Sequence, residues 1–363
     1  VPRVSPSTKG KSVKDQEQRS ERSADLVDLW LESVLREARL YAGRFTHFDS
    51  LYVGGGTPSL LTAAQMQALF GGLCRCFVIT PGAEVTMEVN PDDIDAEKLA
   101  VMKALGVNRL SFGVQSFNDE ELRFLKRRHD AAGAQAVVAA AQDAGFANIG
   151  IDLMYGLPGQ TKESWRATLE RALSFAPAHI SCYQLTVEGQ TPLRAMIERG
   201  AVALPGEKVQ ADLFLFTSRM LERRGYTHYE ISNFAAGDAS MCRHNHKYWS
   251  HVPYLGLGPS AHSFDGAQRW WNLRSVERYC EAVAGGAPPV EDSEHLSAEQ
   301  LALEHLYLGL RTREGVPVAD IPARAAPIVS RLKQSRLLKE REGRLRPTRR
   351  GYLVADSLPV LLS

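Results

Sequence analysis

The sequence predicts an α/β protein: a parallel, partial TIM-like barrel followed by a smaller, mostly helical, winged-helix-like unit. Three observations carry that prediction. Five short apolar strands alternate with helical segments between Leu51 and Leu185, the pattern of βαβ units with parallel strands. Each strand stops at a glycine or polar residue, namely Gly54 to Thr57, Glu88 and Asn90, Gln115, Asp152 and Thr186, and parallel α/β barrels build their sites on that face. Beyond about residue 190 the alternation gives way to an aromatic- and histidine-rich stretch and then to helices.

Taken in order, residues 1–24 are polar and aperiodic and are expected to be disordered. Their Arg and Ser content suggests an organelle leader, but Asp15, Glu17 and Glu21 argue against one. A helix is read from Asp25 to Ala42, where Leu26, Leu29, Trp30, Val34, Leu35 and Ala38 recur at helical spacing. Leu51-Tyr52-Val53 then runs into Gly54-Gly55-Gly56-Thr57-Pro58. Three glycines leave that turn without Cβ atoms, so a charged small molecule can reach its backbone groups. Neither a P-loop nor a dinucleotide fingerprint is present, so phosphates are not the expected handle.

Strands follow at Glu84–Val89, Asn108–Val114, Ile149–Met154 and His179–Leu185, and helices at 95–105, 119–127, 131–144 and 162–174. Gly106 and Gly145 end two of the helices. A helix is read over Val209–Arg224 and a linker at Pro288-Pro289. Helices at 301–310 and 328–337, with Arg346–Leu362, make up the winged-helix-like unit. The expected units are thus residues 1–24, a barrel over 25–225, an extension over 226–290 and a C-terminal domain over 291–363.

At 363 residues, 44% hydrophobic and 23% charged, the composition is that of an ordinary soluble protein. No run of eighteen apolar residues exists, and a net charge of +1 gives no global pull toward nucleic acid or membrane. Nine Lys or Arg against two Glu between Arg331 and Arg350 read as a solvated face rather than a nucleic-acid contact. Five cysteines, an odd number with no Cys-x-x-Cys pair, point to a reducing compartment.

The motifs Gly54-Gly55-Gly56-Thr57-Pro58, Glu88-Val89-Asn90-Pro91, Asn108 to Ser116, Asp152 to Thr161 and His244-Asn245-His246-Lys247-Tyr248-Trp249 together resemble the radical S-adenosylmethionine superfamily. Within it they resemble the branch of oxygen-independent coproporphyrinogen oxidases and HemW haem chaperones. The resemblance covers roughly residues 25 to 355. It implies S-adenosylmethionine contacts at Gly55, Gly56, Thr57, Glu88, Gln115, Arg127, Asp152 and Thr186. Arg127 stands in Lys126-Arg127-Arg128-His129, where family members more often have Gly-Arg-x-His.

The same resemblance implies a four-iron four-sulfur cluster on a Cys-x-x-x-Cys-x-x-Cys loop just before residue 25, and no such motif occurs in this sequence. Without three thiolates a cluster has no anchorage, so the chain as written is expected to lack radical catalysis and any catalytic residue. It also leaves five barrel strands of an expected six. Cys74 and Cys76 read as structural.

The stretch 244–249 matches the His-Asn-x-x-Tyr-Trp signature of HemW-type proteins, which implies haem binding. His244 is the first candidate for the haem iron, with Tyr248 and Trp249 as apolar surface for the porphyrin. Cys242, His246, His251 and His262 remain alternatives, and a zinc site built from Cys242, His244, His246 and His251 competes. The function expected is a haem chaperone that passes haem to acceptor proteins, with transient membrane or respiratory-protein association and no nucleic acid. An oxygen-independent coproporphyrinogen oxidase and an inactive paralogue or fragment are the alternatives. The compartment expected is cytoplasmic, alternatively mitochondrial or plastid.

Overall fold

The computed structural model describes residues 13–363 apart from Gln190, with side chains described from residue 25 onward. In chain order the main elements are α1 (Val13–Tyr41), β1 (His47–Val53), α2 (Ala63–Cys76), β2 (Val78–Val89), α3 (Ala96–Ala104), β3 (Arg109–Gln115), α4 (Asp119–Phe124), α5 (Ala131–Asp143), β4 (Asn148–Tyr155), α6 (Lys162–Leu173) and β5 (His179–Gln184). They continue with α7 (Pro192–Glu198), α8 (Glu207–Arg223), β6 (Thr227–Glu230), β7 (Asn233–Ala235), α9 (Arg243–Trp249), β8 (His262–Phe264), β9 (Gln268–Asn272), α10 (Val276–Ala284) and β10 (Val290–His295). The C-terminal part holds α11 (Ala298–Gly309), β11 (Val316–Pro317), α12 (Ala326–Gln334), β12 (Leu338–Arg341), β13 (Arg344–Pro347), α13 (Arg349–Tyr352) and α14 (Leu358–Leu362).

A seven-stranded sheet runs in the order β1-β2-β3-β4-β5-β7-β6, with β1 to β5 parallel and β7 and β6 antiparallel. The five parallel strands are those read from the sequence. The two antiparallel ones extend the sheet past residue 225, and they are too short for their alternation to be read. The first helix begins at Val13, not Asp25. Its Lys, Arg, Glu and Gln residues are good helix formers, and they carry the helix back through residues expected to be disordered. The reading of residues 1–12 lies outside the described residues. The fourth helix ends at Phe124, so Arg127 falls in the connection that follows.

Side-chain alternation organises the sheet. Val85, Met87, Leu110, Phe112, Ile149, Ile151 and Ile180 face the helical layer and share one core with Leu69, Phe70, Leu99, Val138, Trp165 and Leu213. Each such buried side chain contributes roughly 1.5–3 kcal/mol. The opposite face is polar and in register: Ser50 pairs with Glu84, Tyr52 and Arg109 with Thr86, Glu88 with Ser111, and Asp152 with Ser181. Helix caps fix the outer layer. Thr62 accepts from Gln65 N–H and Gln65 returns a bond to Thr62 N–H, while Asp130 caps α5 and Thr161 caps α6.

The core also takes in Tyr279, Cys280 and Val283 of α10. Glu37 of α1 is fully buried and joins these parts: it accepts from Gly258 N–H (2.8 Å), Asn272 Nδ2 (2.6 Å) and the Tyr279 hydroxyl (2.6 Å). Burial pushes its carboxyl up from the ordinary range. A second core, with Leu306, Leu310, Val316, Leu332, Leu338, Leu345, Leu358 and Leu362, lies under the three-stranded sheet β11-β13-β12. This is a winged-helix arrangement in which the β12–β13 hairpin is the wing. Its basic residues are partly neutralised, Lys333 by Glu340 (2.8 Å) and Arg346 by Glu342 (2.9 Å).

Candidate functional site

At the end of β1 the chain turns through Gly54 to Pro58, with Gly55 at φ +91. A Cβ on Gly54 would lie 2.6 Å from the Tyr52 ring and 2.7 Å from the Glu88 carboxyl, whereas Cβ atoms on Gly55 and Gly56 would meet nothing within 4 Å. Gly54 is therefore required by close packing, while its neighbours leave open space beside backbone donors. Glu88, at the end of β2, accepts from Gly55 N–H (3.1 Å) and from the Tyr52 hydroxyl (2.9 Å). Burial, with Glu88 beside it, raises the Tyr52 phenol.

Asp152 in β4 accepts from the Ser111 hydroxyl at 2.9 Å. Its carboxyl is pushed up, chiefly by burial and partly by the nearby Glu88 charge, against the bonds from Ser181 and Ser111. Gln115 ends β3 in the left-handed conformation, φ +68, after a register shift in the β3–β4 pairing. For a residue with a Cβ this costs on the order of 1 kcal/mol. Lys126 has φ +55, a conformation that glycine adopts freely. Arg127 is half-buried; burial lowers its pKa, and Asp92 is the charge that opposes the shift. Thr186 is exposed beyond β5. The hydrogen bonds thus unite Gly55 and Glu88, while Arg127 and Thr186 stand apart from that network.

Helix α9, which carries the His244 signature, docks against the polar face of the sheet. Glu84, buried in β2, accepts from His244 N–H (2.8 Å), Arg243 N–H (3.1 Å) and Cys242 Sγ (3.6 Å). A carboxylate there satisfies donors that a helix start leaves unpaired. Glu84→Ala should therefore lower stability by about 2 kcal/mol, measured by denaturant unfolding; a loss under about 0.5 kcal/mol would contradict this anchoring.

His244 stacks on Tyr52, with centroids 5.0 Å apart. Its Nδ1 meets Ser50 Oγ at 3.0 Å and its Nε2 meets the Tyr248 hydroxyl at 2.8 Å, so both ring nitrogens are engaged. Burial pushes its pKa down to about 4. Trp249 packs edge-on against Tyr229, whose hydroxyl reaches His179 at 2.7 Å. Tyr248 is the signature residue that opens outward. It borders a cleft of about 580 Å³ with His251, Tyr254, His262, Phe264 and Trp271.

Among the described residues no three His, Cys, Asp or Glu side chains are gathered to hold a metal ion. The zinc arrangement of Cys242, His244, His246 and His251 is therefore not formed. Cys74 is exposed, Cys76 half-buried, and Cys182, Cys242 and Cys280 are buried. A four-iron four-sulfur cluster has no ligand set among these residues. No described helix is long and apolar enough to cross a membrane.

The profile of the Radical SAM superfamily matches residues 15–172, and that of the HemN C-terminal domain matches residues 296–354. A protein named heme chaperone HemW from Mycobacterium tuberculosis is 34% identical over 333 residues, 91% of this chain and 85% of that protein. The chain belongs to the HemW family. Heme chaperone HemW of Bacillus subtilis is 38% identical over 270 residues, 74% of this chain and 70% of that protein. Among solved structures, the radical SAM enzyme coproporphyrinogen III oxidase (HemN) of Escherichia coli superposes with a TM-score of 0.77 at 26% identity. That match covers 93% of this chain and 83% of the other.

Sequence reasoning found the strand ends and the signature but missed Ser50, Tyr52, Glu84 and Arg109, which build the polar face. The signal was available. Parallel strands covered on both faces are usually continuously apolar, and Glu84-Val85-Thr86-Met87-Glu88-Val89 alternates strictly. That alternation marks a strand whose second face meets polar groups.

Proposed function

We propose that this chain binds haem and transfers it to acceptor proteins, a reading supported by the name heme chaperone that its HemW relatives carry. The observation that carries the reading is the His244–Trp249 signature, held by Glu84 on the polar face with Tyr248 turned to an aromatic cleft, in a chain that shares a third of its residues with those relatives over most of their length. The site is proposed to have two parts. Gly55, Gly56, Thr57 and Glu88 would hold the amino-acid end of S-adenosylmethionine, with Gln115, Arg127, Asp152 and Thr186 farther along the same strand-end face. The cofactor, when bound, supplies a sulfonium centre. Glu88 orients the glycine turn, and Asp152, whose carboxyl accepts from the Ser111 hydroxyl, lies on the same polar face. His244, Tyr248 and Trp249 form the haem side. The proposed compartment is the cytoplasm, with mitochondrion or plastid as alternatives, and the proposed partners are haem-accepting proteins.

Titration with haemin tests the reading: a saturable Soret shift is expected, and an unchanged haemin spectrum would overturn it. The similarity to HemN favours a second reading, porphyrinogen decarboxylation. Anaerobic incubation with coproporphyrinogen III, S-adenosylmethionine and a reductant should leave the substrate intact, and decarboxylated product would establish the second reading instead.

A further inference from the structure

We propose that Tyr52 is a positioning residue that couples the two parts of the site: a cationic group held by Glu88 at the glycine turn lowers the affinity of the His244 part for haem. The inference rests on the two-part reading above and adds its regulation.

Strand β1 serves both parts. It runs into the glycine turn at one end, and along its length it carries α9. Asp49 pairs with Lys247, while Ser50 Oγ accepts from Lys247 Nζ at 3.0 Å and meets His244 Nδ1 at 3.0 Å. Tyr52, two residues on and therefore on the same face of the strand as Ser50, touches both parts. Its ring stacks on His244 with centroids 5.0 Å apart and planes 26° apart, and its hydroxyl donates to Glu88 Oε1 at 2.9 Å. This close approach of Tyr52 and Glu88 is what excludes a Cβ at Gly54. The other Glu88 oxygen accepts from Gly55 N–H at 3.1 Å, so one carboxylate grips the turn and the phenol together.

The bond from Tyr52 is charge-assisted, so its strength follows the negative charge on Glu88. Burial first, and then the Glu88 charge, raises the Tyr52 phenol, and the hydroxyl stays the donor. A cation on Glu88 masks that charge and weakens the bond. Two arrangements result: one with the hydroxyl bonded and the His244 ring braced on its Tyr52 face, the other with the hydroxyl released and that face free to move. An imidazole that ligates a metal depends on its neighbours to fix the ring, so the first arrangement binds haem more tightly. The coupling is reciprocal, and haem on the His244 part weakens the hold of Glu88 on a cation by the same factor.

The test is a double-mutant cycle read by Soret titration with haemin on wild type, Tyr52→Phe, Glu88→Gln and the double variant. Glu88→Gln removes the charge that a bound cation would mask, and Tyr52→Phe keeps the stack but deletes the hydroxyl. Each single change should weaken haemin binding about fivefold, and the double variant should be no weaker than either single one. Both substitutions conserve shape, so all four proteins should melt as folded chains. Losses that multiply in the double variant overturn the coupling, as does wild-type affinity in Glu88→Gln. S-adenosylmethionine, at a concentration that saturates in calorimetry, should weaken haemin binding about fivefold in wild type and leave Tyr52→Phe unchanged; an equal effect in both, or none in wild type, overturns the coupling. Absence of any heat of binding overturns the cofactor part of the reading, and the cycle still decides the link. No Soret response from wild type overturns the haem part, and the coupling with it.

Discussion

Replacing Glu37 by alanine is expected to remove about 3–5 kcal/mol of folding stability. The side chain is fully buried and takes hydrogen bonds from Gly258 N–H, Asn272 Nδ2 and the Tyr279 hydroxyl. Alanine leaves the Gly258 N–H and the Tyr279 hydroxyl without this acceptor in a buried site, leaves Asn272 Nδ2 with only the Gly258 carbonyl, and opens a cavity as well. Glu37→Gln, which keeps the volume and one acceptor oxygen, should lose roughly half as much. Chemical denaturation followed by tryptophan fluorescence measures both. An alanine variant within about 1 kcal/mol of wild type would mean that α1 is not anchored through this residue.

Acid should weaken the fold through His228, the second large effect. His228 is buried, accepts from Ser218 Oγ at 3.0 Å through Nδ1 and donates from Nε2 to the Ile231 carbonyl at 3.0 Å. Its ring stacks on Phe234 at 4.2 Å. Burial lowers its pKa to about 4, below the ordinary 6.5. Between those values the unfolded chain binds a proton that the folded chain refuses, so stability rises with pH across the window. The contribution is complete above pH 6.5 and is lost as pH falls toward 4; it amounts to about 3 kcal/mol at most. Glu37, Asp152 and Glu230, whose carboxyls burial pushes up, act in the opposite sense, so the total profile mixes the two. His228→Gln isolates the histidine, since it cannot take the proton. The stability difference between wild type and His228→Gln should move by about 2–3 kcal/mol against wild type between pH 7 and pH 4. A constant difference would show that His228 does not titrate as its burial implies.

The parallel strands and their helices were legible because each strand has at least three consecutive or alternating apolar residues bounded by Gly or polar stops. The β6–β7 pair was not, because strands of four and three residues, one of them Thr227-His228-Tyr229-Glu230, carry too little pattern to separate from a loop. Helix α1 was read as starting too late because aperiodic polar residues can still continue a helix already started. At the site, Gly55, Glu88 and Asp152 were legible as strand-end chemistry, and the structure links Glu88 to Gly55 directly. His244 was legible in the sequence as the first residue of its motif, yet the engagement of its nitrogens depends on Ser50, almost two hundred residues away, and no local pattern reveals that. The wing between β12 and β13 was hidden by its basic composition, which read as a helix face.

The strand order leaves β1 at one end of the sheet, with β2 as its only described partner. Its far edge pairs with no strand among the described residues, and the unpaired groups of an edge strand are a template for an extended segment. One position of that edge strand carries charge, Asp49 with its close contact to Lys247 of α9, which discourages a flat hydrophobic stranger. A second copy docking there would join two sheets end to end, so concentrated preparations of this protein should be watched for edge-to-edge self-association before any ligand measurement is interpreted.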